Sequence, residues 1–361
     1  MKITGIRTRV VTRRYDPPPA NPRSTWNERH AVLVFVETDA GLTGLGEAYS
    51  EGGTPDTVVS VIEQDLAPLV VGESPFAREL IRHRIQESTV VSGKSGMAYG
   101  GWSGIDIALW DIAGKDSGRP IHELLGEYRD RVFAYASGGL FEPGKTLTDL
   151  ADEVCGYVAR GYRGIKMKAG MTPLADDVAR VAAVRAAIGP DVRLMLDPVF
   201  SLNFMDAGRF LEAMTPYGIH YVEAPLDPLN REGWAELRRK SRIPLAGPEL
   251  KWGLRMFRDV LTAGAVDVLQ WDLRMAGGFT EGLTLAGLAR AWHRPVSLHH
   301  SSSAVALAAC LHLGVALANC ESIERHMKHD LLFDEAGEDF FRLEDGCMLA
   351  PEKPGLGIEL E

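Results

Sequence analysis

The chain has 361 residues, more than one ordinary hydrophobic core holds, which predicts two domains or one large barrel with an attachment. Its 39 Lys and Arg side chains against 49 Asp and Glu give a formal net charge of −10, which argues against nucleic acid or an anionic membrane as a main partner. The sequence contains neither a signal-peptide core nor an apolar run of roughly 18 residues, so we expect a cytoplasmic protein.

The first third of the chain predicts an α+β unit. Residues 2–11 alternate between apolar and polar side chains, and residues 31–37 lead through the turn Asp39-Ala40-Gly41 into another strand, which is typical of an antiparallel hairpin. From residue 54 to about 86 the apolar residues recur at helical spacing, and residues 104–115 have the composition of a buried helix. Strands therefore come first in this unit and helices follow.

After about Arg131 short apolar strands alternate with amphipathic helices. Strict alternation of this kind predicts right-handed βαβ units and a parallel sheet, and so many units favour closure into a TIM-type barrel. The tail from about Lys328 breaks the alternation, and we expect it to return to the first domain. The predicted strands are residues 132–137, 164–168, 192–197, 220–223, 243–249, 266–272 and 295–299.

An ionisable side chain closes each of these strands except the first, at steps of 23 to 29 residues from Lys168 onward, which is close to one βα unit per step. In a parallel barrel the carboxyl ends of the strands meet around one cavity. A single acidic residue at a strand end is more often a helix cap or an ion-pair partner, but a series predicts a shared site. The series is Lys166, Lys168, Asp197, Glu223, Glu249, Asp272, His299 and Glu324.

Asp197, Glu223 and Glu249 end three consecutive strands, and these carboxylates would repel one another if they were left unpaired in one cavity. A hard cation with oxygen ligands relieves this repulsion, and Mg²⁺ fits best. Zinc would recruit His or Cys, and neither occurs among the three. We therefore expect a magnesium site, with Mn²⁺ as a substitute metal.

Two further groups are suited to moving protons. Lys166 and Lys168 are two residues apart on a strand, so their side chains point the same way, and two neighbouring ammonium groups should lower each other's pKa from ~10.4 toward about 7–8. One lysine should then be a base and the other an electrostatic aid. Asp272 and His299 could form a carboxylate–imidazole dyad in which Asp272 fixes the tautomer and raises the basicity of His299.

The ordered series resembles the mandelate racemase subgroup of the enolase superfamily. Supporting runs are Ser103-Gly104-Ile105-Asp106-Ile107-Ala108-Leu109-Trp110-Asp111, then Leu124-Leu125-Gly126, and the closing Pro354-Gly355-Leu356-Gly357. The resemblance implies an α/β fold, a modified (β/α)₇β TIM-type barrel with an α+β capping domain. Residues 1–130 would form the capping domain, 131–327 the barrel and 328–361 a tail that completes the capping domain.

The resemblance also implies a role for each site residue. Asp197, Glu223 and Glu249 match the metal ligands, Lys168 matches one base, and His299 with Asp272 matches the opposite one. Lys166 and Glu324 would stabilise the enolate, Glu324 as a hydrogen-bond donor if it stays protonated. Capping-domain loops near residues 23–27 and 49–53 would close the site and choose the substrate. A small carboxylate is the expected substrate, and a homo-oligomer is the expected assembly.

Two positions depart from the family pattern. Members commonly carry Asn two residues after the first metal ligand, where this chain has Val199, so one polar contact to the substrate is missing. The third ligand follows a proline, in Gly247-Pro248-Glu249, where the family more often has Gly-Glu. These departures concern substrate identity more than reaction type.

The leading functional hypothesis is a lyase that dehydrates an acid sugar or another hydroxy acid to a 2-keto acid after Mg²⁺-dependent removal of the proton next to the carboxylate. A two-base racemase or epimerase is the alternative within enzymes, because Lys168 and His299 could face opposite sides of one carbon. A metal-binding pseudoenzyme that senses carboxylates is a remote alternative, for which Val199 is the only hint. A zinc amidohydrolase is weaker still, since His-x-His does not close the first barrel strand.

Overall fold

The chain begins with a three-stranded antiparallel sheet, as the sequence predicts. The structure is a computed structural model that describes residues 1–51, 54–92, 95–337 and 340–360. The strands are Ile3–Arg14, Glu28–Thr38 and Thr43–Ala48, with Glu28–Thr38 in the middle. Between the first two strands, the short strands Ala20–Asn21 and Ser24–Thr25 pair with each other. The chain from residue 20 to 25 thus forms a small hairpin outside the main sheet.

Helices cover one face of this sheet. The predicted helical stretch 54–86 is interrupted around Gly72, which has a φ of 88°, so the segments on either side form separate helices. The buried helix extends beyond the predicted 104–115. The prediction missed its first turns because they are rich in small buried residues and lack a periodic pattern of large apolar ones. The helical segments are Pro55–Ser60, a π-helical turn Val61–Leu66, Ala67–Val70, Arg78–Ser92, Ser95–Ser117 and Ile121–Leu125.

Glycines allow close contact between the sheet and the long helix. A Cβ atom at Gly46 would lie 2.0 Å from the carbonyl oxygen of Gly104, and one at Gly44 would lie 2.1 Å from that of Ala108. Any side chain at either position would therefore force the strand off the helix. Glu47, which follows Gly46 on the strand, is fully buried.

The remainder of the chain is mainly a closed barrel of eight parallel strands, which confirms the predicted fold class. Each strand pairs with the next, and the eighth pairs with the first, so that Glu324 lies opposite Tyr135. The eighth strand lies outside the seven predicted ones because serine, glutamate and histidine occupy its inward positions. The strands are Arg131–Gly138, Gly164–Lys168, Arg193–Asp197, Ile219–Glu223, Leu245–Gly247, Val268–Asp272, Val296–His299 and Cys320–His326.

Seven helices longer than one or two turns alternate with these strands in the part of the chain that the structure describes. They surround the barrel and bury their apolar sides against it. Thr146 caps the first of them with a reciprocal Asp149 contact, and Asn203 and Ser303 cap two others. The helices are Leu147–Ala159, Leu174–Ile188, Phe204–Met214, Arg231–Lys240, Gly253–Ala263, Gly278–Ala291 and Ala304–Ala316.

The C-terminal tail contacts both the barrel and the N-terminal region. Strand Cys347–Leu349 pairs antiparallel with the first barrel strand, and Leu343–Glu344 pairs with Cys347–Leu349. Farther along, the Leu356 backbone N–H donates to Asp111 of the long helix at 2.7 Å. Within the described residues, the helices are all too short or too polar to cross a membrane.

The inside of the barrel is apolar at one end and polar at the other. Tyr135, Met195, Tyr221, Ala246 and Val268 form a buried cluster at the amino-terminal half of the strands. Because side chains alternate along a strand, the next inward positions lie two residues closer to the carboxyl ends, and on the strands of Met195 and Tyr221 these positions hold Asp197 and Glu223. The apolar layer therefore supports a charged layer directly above it.

Candidate active site

The barrel brings together all eight ionisable residues that the sequence places at strand ends. They alternate with outward apolar neighbours such as Met167 and Leu298, so they point into the barrel. Glu249 follows the short strand Leu245–Gly247 by two residues. Each of the eight residues is at most 6% exposed to solvent. A cluster of this many buried charges is stable only if its members pair with one another or with a bound ion.

Lys166 lies at the centre of the cluster. Its ammonium nitrogen is 2.7 and 2.8 Å from the two carboxylate oxygens of Glu223, 2.9 Å from Glu324 and 3.9 Å from Asp197. Burial alone would lower the pKa of Lys166, but these carboxylates outweigh it and raise the pKa well above its ordinary value. The expectation that the two lysines lower each other's pKa is therefore wrong for Lys166, which stays protonated.

Lys168 has a different partner. Its ammonium group donates a short hydrogen bond to Asp197 Oδ2, and the other oxygen, Oδ1, accepts from the Val199 backbone N–H at 2.9 Å. One carboxylate thus fixes both the lysine and the turn that follows its own strand. Lys168 lies nearer the mouth of the barrel than Lys166, because it ends the strand.

Asp272 and His299 form the predicted dyad. His299 Nδ1 lies 2.9 Å from Asp272 Oδ2, and since an ionised carboxylate can only accept, Nδ1 is the donor and Nε2 faces the cavity. Nε2 is 3.8 Å from Glu324 Oε2. Burial lowers the pKa of His299, but Glu324 and Asp272 outweigh it and raise the pKa to about 9.

The sequence reasoning missed Arg274, which anchors the dyad. Arg274 is 1% exposed and donates to both oxygens of Asp272, at 3.0 and 2.6 Å. The same guanidinium reaches Glu47 at 3.3 Å and Glu51 at 2.9 Å in the N-terminal region. Two residues after a strand-end aspartate, an arginine can fold back onto that carboxylate, and this Asp-x-Arg spacing was the available signal.

Glu324 does not fit the role of a protonated donor. Burial would raise its pKa, but Lys166 and His299 lower it to about 2, so the side chain is an anion. Glu324 therefore acts here as a counter-charge for the ammonium of Lys166 and the imidazole of His299. The expectation of a protonated Glu324 assumed that burial would dominate, and the two cations reverse that balance.

The three carboxylates proposed as metal ligands fit a hard cation. Glu249 is buried, its pKa is raised to about 8 by burial and by Glu223, and its Oε2 has no hydrogen-bond partner among the described residues. Burial also raises the pKa of Glu223, whose Oε2 accepts from Gln270 at 2.8 Å. A divalent ion would supply the positive charge that this side of the cluster lacks.

A second grouping of ligand atoms shares one member with that set. Atoms of Glu223, His299 and Glu324 lie within 4.8 Å of one another. We favour the three carboxylates, because the dyad already holds His299 through Nδ1, and Mg²⁺ prefers oxygen ligands.

The predicted capping loops lie over the barrel mouth. Arg23 donates to the carbonyl oxygen of Val199 at 3.2 Å and to that of Phe200, so the 23–27 loop contacts the turn after Asp197. Val199 and Phe200 have φ values of 51° and 56°, in the left-handed region that β-branched and bulky residues disfavour. Of the 49–53 loop, residues 52 and 53 lie outside the described residues, and Glu51 contacts Arg274.

Sequence comparison matches almost the whole chain to two family models. The model described as mandelate racemase / muconate lactonizing enzyme, N-terminal domain, matches residues 3–126, and the one described as enolase C-terminal domain-like matches residues 149–361. Arabinonate dehydratase of Saccharolobus solfataricus is 33% identical over 91% of this chain and 88% of its own length. D-Galactarolactone cycloisomerase of Agrobacterium fabrum is 34% identical over 100% of this chain and 97% of its own length.

Solved structures share the fold over their full length. An enolase superfamily member from Polaromonas sp. JS666 is 32% identical, with a TM-score of 0.92 over 100% of this chain and 96% of its own. A racemase from Streptomyces coelicolor A3(2) with bound magnesium is 27% identical, with a TM-score of 0.92 over 99% of this chain and 97% of its own.

Proposed function

This chain belongs to the mandelate racemase/muconate lactonizing enzyme family of the enolase superfamily, and from that membership we propose that it dehydrates an acid sugar to a 2-keto acid. The proton next to the carboxylate is removed, the hydroxyl on the following carbon leaves with a proton as water, and the resulting enol becomes the ketone. The observation that best supports this proposal is that Lys168 and the Asp272–His299 dyad approach one carboxylate cluster from different strands. A relative that is 33% identical is named a dehydratase.

Two side chains would move the protons. His299, with a pKa of about 9, carries a proton at neutral pH and is suited to protonate the leaving hydroxyl. Lys168 would take the proton next to the carboxylate. Lys168 shares Asp197 with the proposed metal site.

The carboxylate end of the substrate would lie beside Lys166. Asp197, Glu223 and Glu249 would hold Mg²⁺, which when bound supplies positive charge to the substrate carboxylate as the neighbouring proton leaves. We propose Mn²⁺ as a substitute metal. Lys166, permanently protonated and fully buried, would stabilise negative charge on the same carboxylate, and Glu324 would hold Lys166 and His299 in place.

Racemisation or epimerisation is the second candidate. It is favoured by the same pair of proton-transfer groups, because a base on each face of one carbon can exchange a proton in either direction. A relative named as a cycloisomerase and a solved structure named as a racemase are both similar to this chain. Dehydration leads because relatives that are 33% and 34% identical are named arabinonate dehydratase and D-galactonate dehydratase.

We also propose residues 1–130 as the capping domain, 131–327 as the barrel and 328–361 as the completing tail. The barrel strands from Arg131 to His326 and the contact of Leu356 with Asp111 support this division. A homo-oligomer is proposed as the assembly.

A library of acid sugars incubated with Mg²⁺ tests the proposed function. We expect at least one acid to give a 2-keto acid, detected by semicarbazide absorbance, and the signal to vanish in His299→Asn. In deuterated water, solvent deuterium should enter the product. Exchange at the α-carbon without keto-acid formation, for every acid, would indicate racemisation instead. Neither exchange nor keto acid from any acid would refute both candidates.

A further inference from the structure

Three buried histidines lie at the end of the eighth barrel strand, beyond the groups used above. His326 follows Glu324 by two residues on the same strand, so its side chain points into the barrel on the same side. His300 and His329 come from the loops after strands seven and eight, and all three residues retain 1% exposure. His326 and His329 rings meet edge to face with centroids 4.2 Å apart.

The three histidines differ in what they bind. His300 is fully engaged, because Nε2 donates to the Ser303 carbonyl at 3.0 Å and Nδ1 accepts from the His326 backbone N–H at 3.3 Å. His326, in contrast, has no partner among the described residues at either ring nitrogen, and His329 has none at Nε2. Buried polar atoms without partners are costly, so these three nitrogens are available for hydrogen bonds to another molecule.

The capping domain closes this corner. The Trp26 ring lies 5.6 Å from the His326 ring and 5.0 Å from the His329 ring, and its indole N–H donates to Ser24 at 3.0 Å. Trp26 therefore packs its apolar ring directly against the two imidazoles. A ligand held here would meet the free ring nitrogens beside Trp26.

The two imidazoles are neutral. Burial lowers the pKa of His326 and of His329 well below the ordinary value, and nearby positive charge, of Lys168 at His326 and of Arg29 at His329, acts in the same direction. The neighbouring cations are engaged, since Arg29 pairs with Glu51 at 3.6 Å and Arg325 donates to the His329 carbonyl at 2.9 Å. A neutral imidazole offers one donor and one acceptor, which is the complement of a hydroxyl group and not of a carboxylate.

We propose that His326 and His329, beside Trp26, bind hydroxyl groups on the distal carbons of the substrate, so that aldonates with one carboxylate are preferred to aldarates with two. This inference rests on the proposed function, because the carboxylate and the neighbouring carbon occupy the cluster around Lys166, Lys168 and His299. The rest of the sugar chain then extends along the eighth strand toward His326. A second carboxylate there would lose its hydration, and the neighbouring cations Arg29 and Arg325 already have partners.

Equilibrium binding to the Mg²⁺-loaded protein tests the preference without depending on turnover. His299→Asn provides a background in which the ligand is not consumed. The probes are three pairs that differ only at the last carbon, D-gluconate with D-glucarate, D-galactonate with galactarate, and D-mannonate with D-mannarate. We expect the aldonate to bind about tenfold more tightly in at least one pair and not more weakly in the others. Equal or tighter binding of the aldarate in all three pairs would overturn the proposal.

Substitutions at the corner assign the preference to these residues. His326→Leu should weaken aldonate binding about tenfold and leave binding of lactate, which has no distal hydroxyl, unchanged. His326→Gln keeps a donor and an acceptor and should restore most of the loss. His83→Leu replaces an exposed imidazole of the capping domain and serves as the matched control. Affinity for Mn²⁺ should be the same in all variants. Equal losses for aldonate and lactate would contradict the assignment.

The same measurements separate this inference from the proposed function. Preferred binding of aldonates without any turnover of them by the wild-type chain would leave the subsite standing and refute the dehydratase. Turnover of aldarates with weaker binding of aldonates would do the reverse. Failure of every acid to bind would refute both. If His326→Leu does not fold, Trp26→Phe offers the second variant, with a smaller loss of aldonate affinity expected and none for lactate.

Discussion

The two proposed proton-transfer groups are connected to the N-terminal region by two arginines, one buried and one exposed. On the dyad side, Arg274 comes from the barrel, is buried, and joins Asp272 to Glu47 and Glu51 through charged contacts. On the lysine side, Arg23 comes from the capping domain, is exposed, and donates to the carbonyl oxygens of the turn after Asp197. Charged contacts in a dry interior are far stronger than contacts of an exposed guanidinium with carbonyl groups.

This difference indicates that the dyad side of the site is held rigidly and that the lysine side can adjust its geometry. Asp272 and His299 are oriented before any substrate arrives, because Arg274 holds the carboxylate and the carboxylate holds Nδ1. Asp197 is held by Lys168 and by the backbone of a turn with unfavourable φ values. We therefore expect the turn after the proposed metal ligand Asp197 to shift more readily than the dyad when a metal and a substrate bind.

The largest effect is expected from removing a carboxylate on the lysine side. Glu223→Ala should abolish turnover, by more than about 10⁴-fold, because it removes a proposed metal ligand and leaves the buried ammonium of Lys166 with one partner fewer. Glu249→Ala and Asp197→Ala should behave alike, and Mg²⁺ affinity measured by calorimetry should fall in each. The control is Glu321→Ala, which removes a carboxylate of the eighth strand that pairs with His220, and it should retain activity. Undiminished turnover after exhaustive chelation would contradict the metal assignment.

On the dyad side, His299→Asn should lower turnover by about 10³- to 10⁴-fold, since it removes the group proposed to protonate the leaving hydroxyl. Lys168 remains, so substrate α-protons that face it should still exchange with deuterium, as measured by proton NMR. Lys168→Ala should give the complementary pattern for the opposite α-configuration. If either single variant keeps full turnover, that residue is not an essential acid or base.

Chain spacing was enough to predict the positions of these groups but not their charges. The repeat of one βα unit between Lys168 and Glu324 predicts that both lie at one barrel rim, and the closed parallel sheet confirms the fold on which this depends. The pKa of Lys166 is different, because it depends on Glu223 and Glu324, which reach it only after the barrel closes. From the sequence alone, Lys168 was the only neighbour expected to change the pKa of Lys166.

Arg274 shows the same limit over a longer distance. Its contact with Glu47 joins residues 227 positions apart, and nothing in the local pattern around Glu47 distinguishes it from an ordinary strand residue. The partner of the C-terminal strand was also beyond local reasoning, since Cys347–Leu349 pairs with the first barrel strand across more than half of the chain. Long-range pairing decides these features, and it follows from the closed fold.

Replacing Arg274 tests whether the dyad side is fixed by charge. Arg274→Met should lower kcat about 10²-fold with a smaller change in KM, because Asp272 is no longer oriented, and it should destabilise the fold by about 3–5 kcal/mol by leaving buried carboxylates unpaired. Loss of a nearby positive charge should raise the pKa of His299 from about 9, so the alkaline limb of the pH–rate profile should move to higher pH.

Two controls separate positioning from general damage. Arg274→Lys keeps the charge but not the forked contact, so it should recover stability more than kcat. Glu47→Gln removes one of the carboxylates that Arg274 pairs with, and combined with Arg274→Met it should cost less than the sum of the two single changes. An unmoved alkaline limb in Arg274→Met would assign Arg274 a purely structural role.

The smallest effect is expected at Val199, on the adjustable side. Asn tolerates a φ of 51° better than a β-branched residue does, so Val199→Asn should stabilise the fold by about 0.5–1 kcal/mol in thermal or denaturant unfolding. Mg²⁺ affinity should be unchanged, because the contact to Asp197 comes from the backbone N–H, which both residues have. The new amide can reach a substrate hydroxyl, so relative kcat/KM values among acid sugars should change a few-fold. Val199→Ala removes the β-branch without adding an amide, and it should leave those relative values unchanged. A uniform loss across all acids that follows a loss of Mg²⁺ affinity would mean that this turn is as rigid as the dyad side, and the distinction between the two sides would fail.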